Sequence, residues 1–305
     1  MDVFFQQIVN GLSLGGIYAL IALGYTMVYG IIELINFAHG DVYTLGTFFS
    51  LAILTGLGVS GEVHGPWLIA IVLITVLAAM LLCGIVGMLI ERLAYRRLRN
   101  APRLAPLITA IGMSFILENI MQLWRGPSPV PFPQVIPNPS TVVYGVDISA
   151  KQVLVIVFAI VMMIALQLFI FNTKIGKAMR ATAQDRDAAQ LMGININTTI
   201  AMTFLIGSAL AGAAGFASGV YYGTTWFFNG FEAGLKAFTA AVLGGIGNIP
   251  GAMLGGFLIG LIEAIGTQYI PQGAQWSNVV VFSVLVLVLI FRPTGLLGES
   301  LPEKV

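Results

Sequence analysis

The chain has 305 residues, of which 58% are hydrophobic and 9% charged, with a formal net charge of +1. A soluble domain is about one quarter charged, so this chain lacks the polar side chains to cover a surface facing water. With a mean hydropathy of +0.94, its solvent is mostly lipid, and the near-zero net charge argues against a nucleic-acid partner.

Apolar runs of about 20 residues, the length that crosses a bilayer, cover 8–32, 66–90, 105–124, 152–171, 198–222 and 275–291. The opening MDVFFQQ has no basic stretch, so the first run is expected to stay as a span and not to be cleaved. A break among its five glycines would reverse the side on which the chain starts. After INFAHGD comes a shorter span, 42–59. The lone Cys83, in LLCGIVG, excludes an intramolecular disulfide and reads as a small core residue. Segment 125–151 contains GPSPVPFPQVIPNP, whose prolines exclude a regular helix and favour a stiff, extended loop. Run 198–222 contains GSALAGAAGFASG, small residues that let helices approach closely in lipid. Between 233 and 270, GGIGNIPG splits two short apolar pieces and predicts a broken or re-entrant segment. Continuous Leu/Ile/Ala-rich runs without alternation exclude a β-barrel. The expected architecture is all-α, a single polytopic transmembrane helix bundle of about eight or nine crossings.

Lys and Arg collect on the cytoplasmic side of membrane proteins. Segment 91–103 carries Arg92, Arg96, Arg97, Arg99 and Arg103; segment 173–197 carries Lys174, Lys177, Arg180 and Arg186; the C-terminal exit has Arg292 and Lys304. These three are expected inside and the 125–150 loop outside. Counting back places the N-terminus outside if 8–32 crosses once. INFAHG and the late GNIPG, each followed by Gly and Phe, echo one another loosely. Chance in a Gly-rich chain gives such an echo, and so does a pseudo-repeat of two halves with a substrate route between them.

No G-x-x-x-x-G-K-[ST] or H-E-x-x-H occurs, and two histidines without a Cys/His cluster offer little to a metal. Charge within lipid is costly and points inward. Glu33, Asp41, Glu118, Lys236 and Glu263 are such residues, read either as buried structural partners or as lining of a polar path. Asn36, Gly40, Asn248 and Gly251 stand beside chain breaks, where helix ends can hold the carboxylate and ammonium of a zwitterion, or where they serve as ordinary turns. With Glu263 they are the candidate translocation path. Five scattered charges make no proton relay, although an ion-coupled secondary transporter stays open as an alternative. KAMRATAQDRDAAQLMG is rich in helix formers and too polar for lipid, which predicts a helix of about four turns on the cytoplasmic face, stopped by Gly193. Ala181, Ala183, Ala188 and Ala189 are expected to give it one small-residue side that another protein can approach.

Asp187, Ala188, Ala189 and Gly193 form D-A-A-x-x-x-G, which resembles the E-A-A-x-x-x-G coupling loop of bacterial ABC importer permeases, with Asp in place of Glu. GYTMVYGIIELINFAHGDVYTLG, AYRRLR, AIGMSFILEN, LKAFTAAVLGGIGNIPGAMLGG and the ending RPTGLLG resemble the branched-chain amino-acid (LIV-type) permeases, and within them the shorter H-type subunit. The resemblance implies a subunit of the bacterial inner membrane that carries leucine, isoleucine and valine, or in other branches urea or short amides. It implies a second related permease, two separate ATP-binding subunits that use ATP, and a periplasmic substrate-binding protein. It implies no cofactor or enzymatic activity on this chain. Arg180, Asp187, Ala188, Ala189 and Gly193 would then couple to the ATPase.

Overall fold

Eleven α-helices follow one another in the computed structural model, which describes residues 2–32, 34–99, 101–102 and 104–298. Glu33, Arg103 and Lys304 lie outside the described residues. The helices are α1 (Asp2–Ile32), α2 (His39–Gly56), α3 (Pro66–Ile90), α4 (Leu104–Arg125), α5 (Ala150–Asn172), α6 (Lys174–Gln184), α7 (Arg186–Leu191), α8 (Ile196–Tyr222), α9 (Asn229–Gly244), α10 (Ile249–Tyr269) and α11 (Gly273–Phe291). A π-helical turn, Glu91–Tyr95, and a 3-10 turn, Arg96–Leu98, extend α3. Among the described residues, seven helices are long and apolar enough to cross a membrane: α1, α3, α4, α5, α8, α10 and α11. Adding α2 and α9, of 18 and 16 residues, brings these to nine, the upper value of the expected eight or nine crossings.

The α1 helix runs unbroken for 31 residues in spite of its glycines. Its first turns meet the proline-rich segment, where the Gln6 side chain donates to the Asp147 carbonyl at 2.9 Å and accepts from its N–H at 2.8 Å. Its last carbonyls meet Arg186. The chain therefore begins at the proline-rich end of the bundle and crosses once. Residues 34–38 then turn back inward, because His39, which opens α2, packs against Gly24 of α1. Gly24 lies eight residues before the end of α1, about 12 Å along its axis. The break at INFAHG therefore interrupts a crossing: α2 carries the chain on to the proline-rich end, where the Val63 N–H donates to the Val135 carbonyl at 3.0 Å.

Glycine-mediated contact holds the inner helices together. Gly11, Gly15 and Ala19 of α1, four residues apart, form one stripe that faces Gly256 and Gly260 of the antiparallel α10. In lipid, where apolar burial gives no drive between helices, this close backbone approach supplies the packing energy. The α8 helix does the same on three sides, with Gly207 toward α1, Gly212 toward α3 and Gly215 toward α2. An outer layer of α3, α4, α5 and α11 turns large apolar side chains outward; in the most apolar stretch of α11 only 6% of the residues are buried, against 89% in α1.

The GGIGNIPG segment is a turn of four residues, 245–248, between α9 and α10. Gly245 and Gly247 adopt φ of +106° and +91°, which a side chain would disfavour. The tail closes beneath it, with the N–H groups of Leu296 and Leu297 donating to the carbonyls of Leu243 and Gly244. The proline-rich segment is extended as expected. It adds β1 (Val130–Pro131), paired with β4 (Thr224–Thr225), and a hairpin of β2 (Ser140–Val143) with β3 (Val146–Ser149). Tyr144 and Gly145, both at positive φ, make its two-residue turn.

Candidate functional site

Two sites stand at opposite ends of the bundle. The arginine-rich end carries the 173–197 segment, which departs from the single helix of about four turns read in the sequence. Asp185 takes an extended conformation, ends α6 and caps α7, its carboxylate accepting from the N–H groups of Asp187 and Ala188 at 3.0 Å. An aspartate prefers this capping role to a helix interior, so the polar run splits where its own acid can satisfy orphan donors. Gly193 does stop the second piece. Its φ is +85°, and the Ile194 and Gly193 N–H groups return to the carbonyls of Ala189 and Gln190 in a Schellman pattern.

The break also rearranges the alanines. They do not make one exposed small-residue side: Ala189 is buried against the body of the protein, Ala188 is exposed, and Ala181 and Ala183 are intermediate. What protrudes is Leu191 and Met192, 88% and 83% exposed. Asp187 is exposed in the first turn of α7, where the helix dipole favours an acid.

Two arginines tie this segment to the spans. The Arg180 guanidinium donates to the carbonyl of Ile170 and lies 4.8 Å over the Phe171 ring, at the end of α5. Arg186 donates to the carbonyl of Ile32 at 2.6 Å, and to that of Ile31 at 3.4 Å, at the end of α1. The last carbonyls of a helix have no partner within it, so each guanidinium fills an otherwise orphaned acceptor and complements the helix dipole. Beside α7, the buried Glu91 pairs with Arg96 at 2.9 Å and with Arg99, and Arg99 also donates to Asn197 at 2.6 Å. Glu91, Arg99 and Asn197 thereby join the extended end of α3 to the start of α8.

Toward the proline-rich end, Lys236 of α9 and Glu263 of α10 form a buried ion pair of 2.6 Å. Glu263 is fully engaged: its Oε1 also accepts from Ser277 and its Oε2 from Tyr18, both at 2.8 Å. Lys236 reaches back one turn to Glu232 at 3.0 Å. Lys236, Glu263, Glu232 and Tyr18 line a cavity of about 330 Å³ together with Leu14, Ile17, Tyr43 and Tyr222.

The other candidate path residues are not gathered there. Asn36 accepts from the Tyr95 hydroxyl at 2.9 Å. Gly40 abuts Gly230 and Gly234 of α9, and Gly251 abuts Gly244. Asn248 caps α10, accepting from the Gly251 N–H and donating to the Leu297 carbonyl, both at 2.8 Å. It also lines a second cavity, of about 270 Å³, near Arg180 at the arginine-rich end. Of the lone intramembrane acids, Asp41 accepts from Ser114 of α4. Glu232 and Tyr18 were not singled out in the sequence, and Arg186 stood out only as one of the cytoplasmic charges. The i,i+4 spacing of Glu232 and Lys236 was a usable signal; nothing local marks Arg186 as the partner of a helix 154 residues away.

The family described as branched-chain amino acid transport system / permease component matches residues 7–289. The high-affinity branched-chain amino acid transport system permease protein BraD of Pseudomonas aeruginosa is 47% identical over 99% of this chain and 98% of its own. The corresponding LivH of Escherichia coli K12 is 45% identical over the same shares. A chain of the solved structure of PsaBC from Streptococcus pneumoniae in complex with Fab is 12% identical, with a TM-score of 0.46 over 96% of this chain and 93% of that one, a likeness too distant to add to these. A match that runs through nearly every span, in a multi-pass helical membrane protein, places this chain in the family of branched-chain amino acid transport system permease components.

Proposed function

We propose that this chain is the permease subunit of an ATP-driven importer that carries leucine, isoleucine and valine into the bacterial cytoplasm across the inner membrane. The observation that carries the reading is the form of α7: a capped, rigid turn that offers Leu191 and Met192 to a partner and is bonded through Arg186 to the innermost helix. ATP is bound and hydrolysed by two partner subunits, and this chain holds no cofactor. A second related permease and a periplasmic substrate-binding protein complete the assembly, the latter docking at the proline-rich end. The arginine-rich end is cytoplasmic, in keeping with the excess of Lys and Arg there. ATP-driven closure of the partners shifts the bundle between outward- and inward-open states, because they bind the two states with different affinity.

Uptake of labelled leucine by the complete reconstituted complex tests the transport reading. Leucine uptake that needs ATP is expected; uptake of urea or short amides alone, or leucine uptake driven by an ion gradient without the ATPases, overturns it. Single cysteines introduced for Ser128 and Met192, both exposed, are expected to react with impermeant reagent from outside and inside respectively.

The protruding pair gives a separate expectation. Leu191→Asp with Met192→Asp places two charges where apolar anchors would enter a partner pocket. Anchors of this kind contribute about 2 kcal/mol or more each, so co-purification of the ATP-binding subunits is expected to fall sharply while membrane insertion stays normal. Undiminished co-purification removes α7 as the docking element.

A further inference from the structure

The Lys236 cavity contains more than a structural ion pair requires. A buried pair stays in place when each charge is matched and every lone pair is satisfied, and Glu263 with Tyr18 and Ser277 already meets that need for Lys236. Glu232 adds a second carboxylate 3.0 Å from the same ammonium, with its side chain 55% exposed. The cluster therefore carries two negative charges against one positive in a lipid-embedded bundle. An ammonium has three N–H donors, and the two carboxylates engage two of them. Leu14, Ile17 and Ala233 and the rings of Tyr18, Tyr43 and Tyr222 supply its apolar and aromatic lining. Thr224 and Asn229 also line it, which sets its mouth at the proline-rich end beside β4.

We propose that this cavity is a binding site for a free α-amino acid with an apolar side chain, with Lys236 receiving the α-carboxylate and Glu232 the α-ammonium. The excess carboxylate attracts the ammonium, the spare donor of Lys236 meets the carboxylate, and Leu14 and Ile17 cover the branched side chain. Such a ligand arrives neutral overall, so its two charges exchange water for fixed partners without adding charge to the bundle. The volume, about 330 Å³, lies at the small end of ligand cavities, which suits a single amino acid. The site rests on the transport reading and supplies it with a named resting place for the substrate before it crosses.

The test uses the assembled importer in lipid vesicles, without binding protein, carrying Ala233→Cys at the cavity wall. The native Cys83 is buried and gives a low background. The rate of modification by a methanethiosulfonate reagent is measured with and without leucine. At leucine about four times its dissociation constant, occupancy is expected to slow modification about fivefold. Leucinol lacks the carboxylate and isocaproate the ammonium; neither is expected to protect at that concentration. Glycerophosphoethanolamine, a zwitterion with a lipid headgroup's chemistry, is also expected not to protect. Adding Glu232→Gln, at the exposed rim, is expected to abolish protection, read as the ratio of the rates with and without leucine in that variant. Absence of leucine protection in a complex that still imports labelled leucine overturns the site and leaves the transport reading standing. Equal protection by isocaproate, leucinol or glycerophosphoethanolamine, or full protection with Glu232→Gln, also overturns it. A complex that imports no branched-chain amino acid overturns the transport reading itself.

Discussion

Arg186→Ala is expected to lower leucine uptake per ATP hydrolysed by tenfold or more, with ATP hydrolysis by the partner subunits retained. Arg186 is the first residue of α7, and its guanidinium donates to the carbonyls of Ile31 and Ile32 where α1 ends. A hydrogen bond from a charged group contributes about 1.5–3 kcal/mol, and loss of one partner leaves the other unsatisfied. At 1.4 kcal/mol per factor of ten, this corresponds to roughly 10- to 100-fold in the equilibrium that links a movement of α7 to a movement of α1. Docking is not the step affected, because Leu191 and Met192 still protrude. Arg186→Lys keeps the charge on a shorter, differently shaped side chain that does not reproduce the 2.6 Å bond of Nη2 to the Ile32 carbonyl, and an intermediate loss is expected. Uptake and phosphate release, measured on the same vesicles, decide the matter. Normal uptake per ATP in the alanine variant would show that the link through α1 is not used.

The largest effect on stability is expected from Gly15→Leu. A Cβ at Gly15 would stand 2.7 Å from the Phe257 Cα and 2.9 Å from the Gly256 carbonyl oxygen. Both are backbone atoms of α10 and cannot swing aside, so α1 and α10 must separate along their whole glycine stripe. Inserting one extra methylene into a packed core costs about 1–3 kcal/mol, and leucine adds several heavy atoms against backbone. The variant is expected to give little monodisperse protein in detergent by size-exclusion chromatography. Gly112→Leu is the control: nothing lies within 4 Å of a Cβ there, on the outer α4, so normal yield and uptake are expected. Equal recovery of the two variants would contradict the packing role of the stripe.

These two sites were legible to different degrees. The glycines of 8–32 were compatible in the sequence with a break as well as with close helix contact, and the unbroken α1 decides for a contact stripe at Gly11, Gly15 and Ala19. Its partner helix could not be named, since a stripe carries no record of which other stripe it meets. Arg186 was visible only as one more positive charge on the cytoplasmic face. Its role depends on where a segment 154 residues earlier in the chain ends, and no local pattern encodes that. The 173–197 segment lay between the two cases. Helix formers and a stopping glycine were evident, but competition at Asp185 between continuing a helix and capping the next one is settled by the backbone path. Once the helix breaks there, the alanines turn different ways, and the exposed anchors become Leu191 and Met192.

Composition and run length by themselves determined that this is a helical, multi-pass membrane protein, because backbone polar groups in lipid must be satisfied within each segment. The breaks at INFAHG and GGIGNIPG were equally plain, since glycine, proline and polar residues interrupt an apolar run only where the chain leaves the helix. Tertiary structure alone decided which breaks line cavities. Gly40 and Gly251 are taken up by backbone contact and Asn36 by Tyr95, whereas Lys236, Glu232 and Glu263 converge on one cavity from two helices. Convergence of side chains depends on the crossing of α1, α9 and α10, and that crossing is set by glycine contacts spread over the whole chain.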